Sequence, residues 1–121
     1  MAGNFPFTPS PGFSIGFTAG TSSQSRQVKQ SDIGLNYWPS QVRLFNTGTV
    51  LVWIYFAAQP TAITIPIPGT NTVGTPGQCV PLVPGILEVF SLSNFQLANL
   101  WISDISTATS QNYYLTFGEG L

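Results

Sequence analysis

The chain alternates short apolar runs with turn residues from one end to the other. Phe13, Ile15 and Phe17 are interleaved with Ser14, Gly16 and Thr18, a period of two that predicts a half-buried strand. After the polar turn 20–25, the segment 24–30 alternates weakly around Val28 and predicts an edge strand. Residues 32–39 read as a loop through Gly34, Asn36 and Pro39, although it carries Leu35, Tyr37 and Trp38. In 41–56, Val42 and Leu44 flank Arg43, and Asn46-Thr47-Gly48 is a turn signal between two strands. Val50 to Phe56 then runs without a polar residue, rich in β-branched and aromatic side chains that favour strand over helix. Both of its faces are apolar, so this strand is expected to be covered on both sides. One cover is the core, and the other is a loop, the N-terminal segment or a partner subunit.

Thr61 to Ile67 alternates again and ends at Pro66 and Pro68. The Gly/Thr/Asn/Pro stretch 69–77 reads as an exposed loop. Gln78 to Val83 is a short strand interrupted by Pro81, and Pro84-Gly85 is a turn dipeptide. Ile86 to Leu92 is a strand in which Glu88 points away from Leu87 and Val89. Leu100 to Ile105 and Tyr113 to Phe117 are the last two strands, joined by the small-residue turn 107–110. About eight short strands with Gly/Pro punctuation predict an all-β, antiparallel β-sandwich or small barrel. No segment carries a capped helical period. Pro6, Pro9 and Pro11 alternate with Phe5, Phe7 and small residues at the start, which predicts an extended Pro-rich N-terminal arm over 1–12 before a single domain over 13–121. Phe5 and Phe7 need a pocket, in this domain or on a neighbouring subunit, because leaving them in water forfeits roughly 1.5–3 kcal/mol each.

Composition sharpens this picture. A chain of 121 residues fits one domain, and 43% hydrophobic residues exclude general disorder. Only 6% of residues are charged, against about 25% in an ordinary soluble domain. The surface is therefore built from uncharged polar residues, and a net charge of −1 gives it little repulsion against association. Arg26, Lys29 and Arg43 are too few for the basic stripe that nucleic acid requires, and nothing points to an anionic membrane. The apolar run 50–58 is short of the roughly 20 residues that span a bilayer. The N-terminus lacks the layout of an export signal, and there is no Asn-x-Ser/Thr acceptor.

The searches for chemistry fail one after another. The absence of histidine removes Ser/His/Asp and Cys/His nucleophile arrangements, and with the single Cys79 it removes a zinc site of the usual type. Cys79 is expected to be a buried free thiol. No phosphate-binding glycine motif opens a helix. The carboxylates Asp32, Glu88, Asp104 and Glu119 read as solubilising charges or as partners of the three cations, not as a hydrolytic pair. The expectation is no catalytic residue, no metal and no cofactor. The aromatic residues fit core or interface, where an amphipathic ring is useful. The candidate interface residues are Phe5, Phe7, Tyr37, Trp38, Trp53 and Tyr55, with Tyr37-Trp38-Pro39 as the leading hot spot.

A resemblance is carried by Val42-Arg43-Leu44-Phe45-Asn46-Thr47-Gly48-Thr49, the strand Val52-Trp53-Ile54-Tyr55-Phe56, the run Pro81-Leu82-Val83-Pro84-Gly85-Ile86-Leu87-Glu88-Val89-Phe90 and the end Tyr114-Leu115-Thr116-Phe117-Gly118-Glu119-Gly120. Over 41–120 the chain resembles the small head cement or decoration proteins of tailed bacteriophages. The resemblance implies a jelly-roll-like sandwich that binds the major capsid protein on the outer surface of the virion head, as a homo-oligomer (dimer or trimer), after synthesis in the host cytoplasm. It implies no nucleic-acid, membrane or small-molecule partner. The rival expectations are another virion part, such as a tail or fibre adaptor or minor capsid subunit, and a carbohydrate-binding module.

Overall fold

The computed structural model describes residues 8–33, 39–68, 79–92 and 99–119. Its strands are β1 (Thr8–Ala19), β2 (Gln24–Val28), β3 (Gln41–Asn46), β4 (Val52–Ala57), β5 (Val80–Leu82), β6 (Leu87–Ser91), β7 (Leu100–Ser106) and β8 (Gln111–Glu119), with a single helical turn α1 (Gln30–Ile33). They form two four-stranded antiparallel sheets, ordered β1-β8-β3-β6 and β2-β7-β4-β5. The first strand pairs with the eighth, the second with the seventh, the third with the sixth and the fourth with the fifth. That nested pairing is a long antiparallel ribbon rolled into two sheets, a jelly roll.

The period-two expectation explains the core. Val42 and Leu44 from β3, Val52 and Ile54 from β4, Leu100 and Ile102 from β7, and Tyr113, Leu115 and Phe117 from β8 are buried and close into one cluster. Phe17 meets Tyr113 edge-on at 5.8 Å, and Phe56 meets Phe90 at 5.5 Å across the gap between the sheets. Such aromatic pairs add a directional term to plain burial.

Four expectations change or gain detail. β1 begins at Thr8, so residues 8–12 of the segment read as an arm continue the edge strand, with Thr8 opposite Glu119 and Pro9 opposite Gly118. The ladder breaks between Pro9 and Ser14, where Pro11 has no N–H to give. The Asn46-Thr47-Gly48 turn joins two strands, as expected, and these lie in different sheets. Asn46 is fully buried and holds this crossing: its Nδ2 donates to the carbonyls of Val50 and Leu82, each at 2.9 Å, and its Oδ1 accepts from Gly48 N at 2.8 Å. A side chain on Gly48 would collide with Gln111, whose Oε1 accepts from Thr49 N at 2.6 Å. Thr61 to Ile67 is not a strand, because Pro60, Pro66 and Pro68 deny it a ladder and its amides turn to serine hydroxyls.

The fourth change concerns β6. Glu88 does point away from Leu87 and Val89, but toward the inner side, opposite buried Leu44. Leu87 and Val89 face outward, 53% and 48% exposed. Phe90 and Leu92, on the same side as Glu88, fill the core and outweigh it.

Candidate binding surfaces

The buried polar groups are structural. Asp104, fully buried on β7, accepts from Tyr113 Oη at 2.5 Å and from Arg26 Nη1 through the same oxygen, Oδ2. Arg26 also donates to Thr18 O at 2.6 Å and to Gln24 Oε1, and its guanidinium lies over Phe17, 4.7 Å from the ring centre. The cluster ties β2 and β7 of one sheet to β1 and β8 of the other. Burial drives the Tyr113 phenol well above its usual range, only partly offset by the Arg26 charge and hydrogen bond, so it stays a donor. The expected pairing of a carboxylate with one of the three cations is thus met by Asp104 and Arg26. Asp104 Oδ1 has no partner among the described residues, but it is sealed inside this network.

No group of three or more potential metal ligands occurs among the described residues. Cys79 is half-buried and not fully buried as expected; its thiol, raised by burial, donates to Thr64 O at 3.4 Å. A shallow cleft of about 330 Å³ opens between β1 and β2, lined by Ile15, Phe17, Gln27, Val28 and Asp32. Asp32 Oδ2 is already engaged by the backbone N–H of Lys29 at 2.8 Å. One carboxylate and one amide on an apolar wall make a poor set for acid–base chemistry.

The outward faces of the sheets differ. On the β2-β7-β4-β5 sheet, Thr61 is strapped across the strands. Its carbonyl accepts from Ser25 Oγ at 3.1 Å and Ser103 Oγ at 2.5 Å, and its N–H donates to Ser25 Oγ at 3.2 Å. Two residues on, Ile63 N donates to Ser23 Oγ at 3.0 Å, and the Ile63 side chain is buried outside the main core cluster. This segment covers the outer side of β2 and β7, the strands beside the doubly apolar one. Trp53 and Tyr55 lie on that side and are half-buried, and Trp53 Nε1 is out of contact with solvent and without an acceptor among the described residues. Of the other candidate interface residues, Phe5, Phe7, Tyr37 and Trp38 lie outside the described residues.

The outer face of the β1-β8-β3-β6 sheet shows what the sequence analysis did not single out. Gly16, Tyr114, Phe45 and Leu87 stand in register across all four strands. The Tyr114 ring lies over Gly16, where an added Cβ would come within 2.8 Å of Cε1. Val89, Ile86 and Val83 extend exposed apolar surface along the β6 side. Of the seven exposed large hydrophobic residues among those described, Leu87, Val89 and Tyr114 stand on this face. The signal in the sequence was Leu-Glu-Val-Phe-Ser-Leu, where Phe90 and Leu92 form the bulkier face and so carry Glu88 inward with them.

No family model matches the chain, and no curated protein matches it. Among solved structures the fold is similar to the crystal structure of PirA, with a TM-score of 0.50 and 8% identity over 87% of this chain and 93% of that one. At that identity the likeness concerns the fold alone. The coat protein of Tobacco streak virus is matched with a TM-score of 0.42 and 8% identity, over 88% of this chain and 87% of that one, which supports no inference. The fold is a jelly-roll β-sandwich, and it is shown by the chain's own strand order.

Proposed function

We propose that this chain is a non-enzymatic virion structural protein, a cement or decoration protein that binds the major capsid protein on the outer surface of a tailed-phage head. The observation that carries the reading is the exposed apolar group of Tyr114, Leu87 and Val89 on the outer face of the β1-β8-β3-β6 sheet, on a domain with 6% charged residues. A rigid jelly roll presenting such a face is suited to seating on another protein, and its few charges leave little to oppose contact. Jelly rolls serve capsid and lectin domains alike, so the fold does not choose between them; the resemblance of 41–120 to phage head proteins favours the capsid. A repeating lattice multiplies weak contacts into firm attachment.

The test is co-sedimentation with purified heads. The chain is expected on the heads, and stripping it by heat, chelator or low salt is expected to leave heads that lose DNA more readily. Recovery in tail fractions alone would overturn the head assignment. Removing residues 1–7 is expected to weaken attachment while the β-type circular dichroism persists, since β1 starts at Thr8.

A further inference from the structure

We propose that the native chain is closed to proteases that cut after lysine or arginine, and that Asp32 is the lock on its one exposed cleavage site, the Lys29–Gln30 bond. The inference goes beyond the proposed function and does not rest on it. The chain has three basic residues, Arg26, Lys29 and Arg43, so a trypsin-type protease has three bonds to choose from. Such a protease takes its substrate segment in extended form and draws the basic side chain into an acidic pocket. A folded chain is therefore cut where the backbone can leave its place, mostly in exposed loops. Arg26 fails on both counts. Its backbone is laddered opposite Ile102, and its side chain is held by the buried Asp104 carboxylate, by Thr18 O and by the Phe17 ring. Arg43 lies in β3, a strand paired on both sides, opposite Val89 of β6 and Thr116 of β8.

Lys29 differs from both. It is exposed and stands between β2 and α1, inside neither. By exposure alone it is the residue after which the chain would be cut. The turn that follows it opposes this. Lys29 N donates to Asp32 Oδ2 at 2.8 Å, and Lys29 O accepts from Asp32 N at 3.0 Å. One residue thus takes both backbone groups of Lys29 and bends the chain back where a protease needs it straight. Upstream, Val28 is buried in the core, so drawing the segment out pulls on a core side chain. Downstream, Asp32 borders the cleft with Ile15, Phe17 and Val28, which sets the turn against β1. The bond matters because of what precedes it. β1 and β2 are edge strands of the two sheets, and a cut after Lys29 severs both from the rest of the chain. Asp32 therefore guards the covalent link that carries one edge of each sheet.

The experiment is timed trypsin digestion of the full native chain, read by mass spectrometry, with circular dichroism recorded for each variant. The parent is expected to stay whole under conditions in which the urea-unfolded chain is cut after all three basic residues. Asp32→Ala is expected to be cut after Lys29 about tenfold faster than the parent, the scale on which losing a capping side chain favours local opening. The products are residues 1–29 and 30–121. Asp32→Asn keeps an acceptor oxygen for Lys29 N and is expected to stay near the parent. A variant that is merely less stable opens through global unfolding and is cut after Arg26 and Arg43 as well, whereas the lock predicts the single cut. Rapid cutting of the parent after Lys29, an Asp32→Ala chain as resistant as the parent, or cutting of that variant at all three positions together would overturn the proposal.

Discussion

On the outer side of the β2-β7-β4-β5 sheet, Ser103 is fully buried beneath Thr61, and Ile63 is packed down beside it. On the outer side of the β1-β8-β3-β6 sheet, Tyr114, Leu87 and Val89 stand in solvent. The covered sheet contains the strand that is apolar on both faces; the open one contains strands that alternate. A doubly apolar strand reports that something covers it, and a segment of the same chain lies over its sheet neighbours β7 and β2. A strand that alternates leaves open which of its faces is turned inward, and a charge on the inner face of β6 was tolerated because Phe90 and Leu92 accompany it.

The largest expected effect lies at the joint on which both sheets depend. Asp104→Ala leaves Arg26 and the buried Tyr113 hydroxyl without their acceptor, and is expected to cost about 3–5 kcal/mol in urea unfolding. A loss below about 1 kcal/mol, the scale of an exposed ion pair, would show that the network does not hold the sheets together. Next comes the strap. Ile63→Ala is expected to cost about 2–3 kcal/mol, toward the lower end for a buried isoleucine, and Ser103→Ala, which removes a hydroxyl from the Thr61 carbonyl, about 1 kcal/mol. No change in either would mean that the strap is ornamental and that the two outer faces are less different than they look.

Tyr113→Phe removes one buried hydrogen bond while Arg26 remains on Asp104, an expected loss of about 1–2 kcal/mol. Its pH signature is more specific. The unfolded phenol ionises near pH 10, whereas burial holds the folded one well above that. Below the unfolded value both states are neutral and the contribution is intact. As pH rises past about 10 the unfolded state loses its proton first, and stability falls. The parent chain is expected to lose stability in that alkaline range, and Tyr113→Phe to lose less. Equal slopes would place the alkaline loss elsewhere. The smallest effect is expected on the open face: Leu87→Ser should leave stability within about 0.5 kcal/mol while weakening attachment to purified heads. A large destabilisation would mean that Leu87 is packed after all.

Several site features could not be read along the chain. Trp53 and Tyr55 read as interface residues because an amphipathic ring suits an interface, and the strap over β2 and β7 comes from a stretch whose alternation predicts a strand. The Arg26–Asp104–Tyr113 cluster joins residues 78 and 9 positions apart in sequence, and no local pattern announces a pairing across two sheets. Leu87 and Val89 were visible as apolar, but not as exposed.

What the sequence by itself determined is the all-β class, the main core positions and the poverty of reactive groups. Period-two alternation and Gly/Pro punctuation act within a few residues, and a missing histidine is missing in any fold. Which strands share a sheet, which side of β6 meets solvent, and what lies over β2 and β7 were decided only by the tertiary structure. Strand pairing is a long-range choice settled by total packing, so the same alternating strand serves with either face inward until its neighbours are in place.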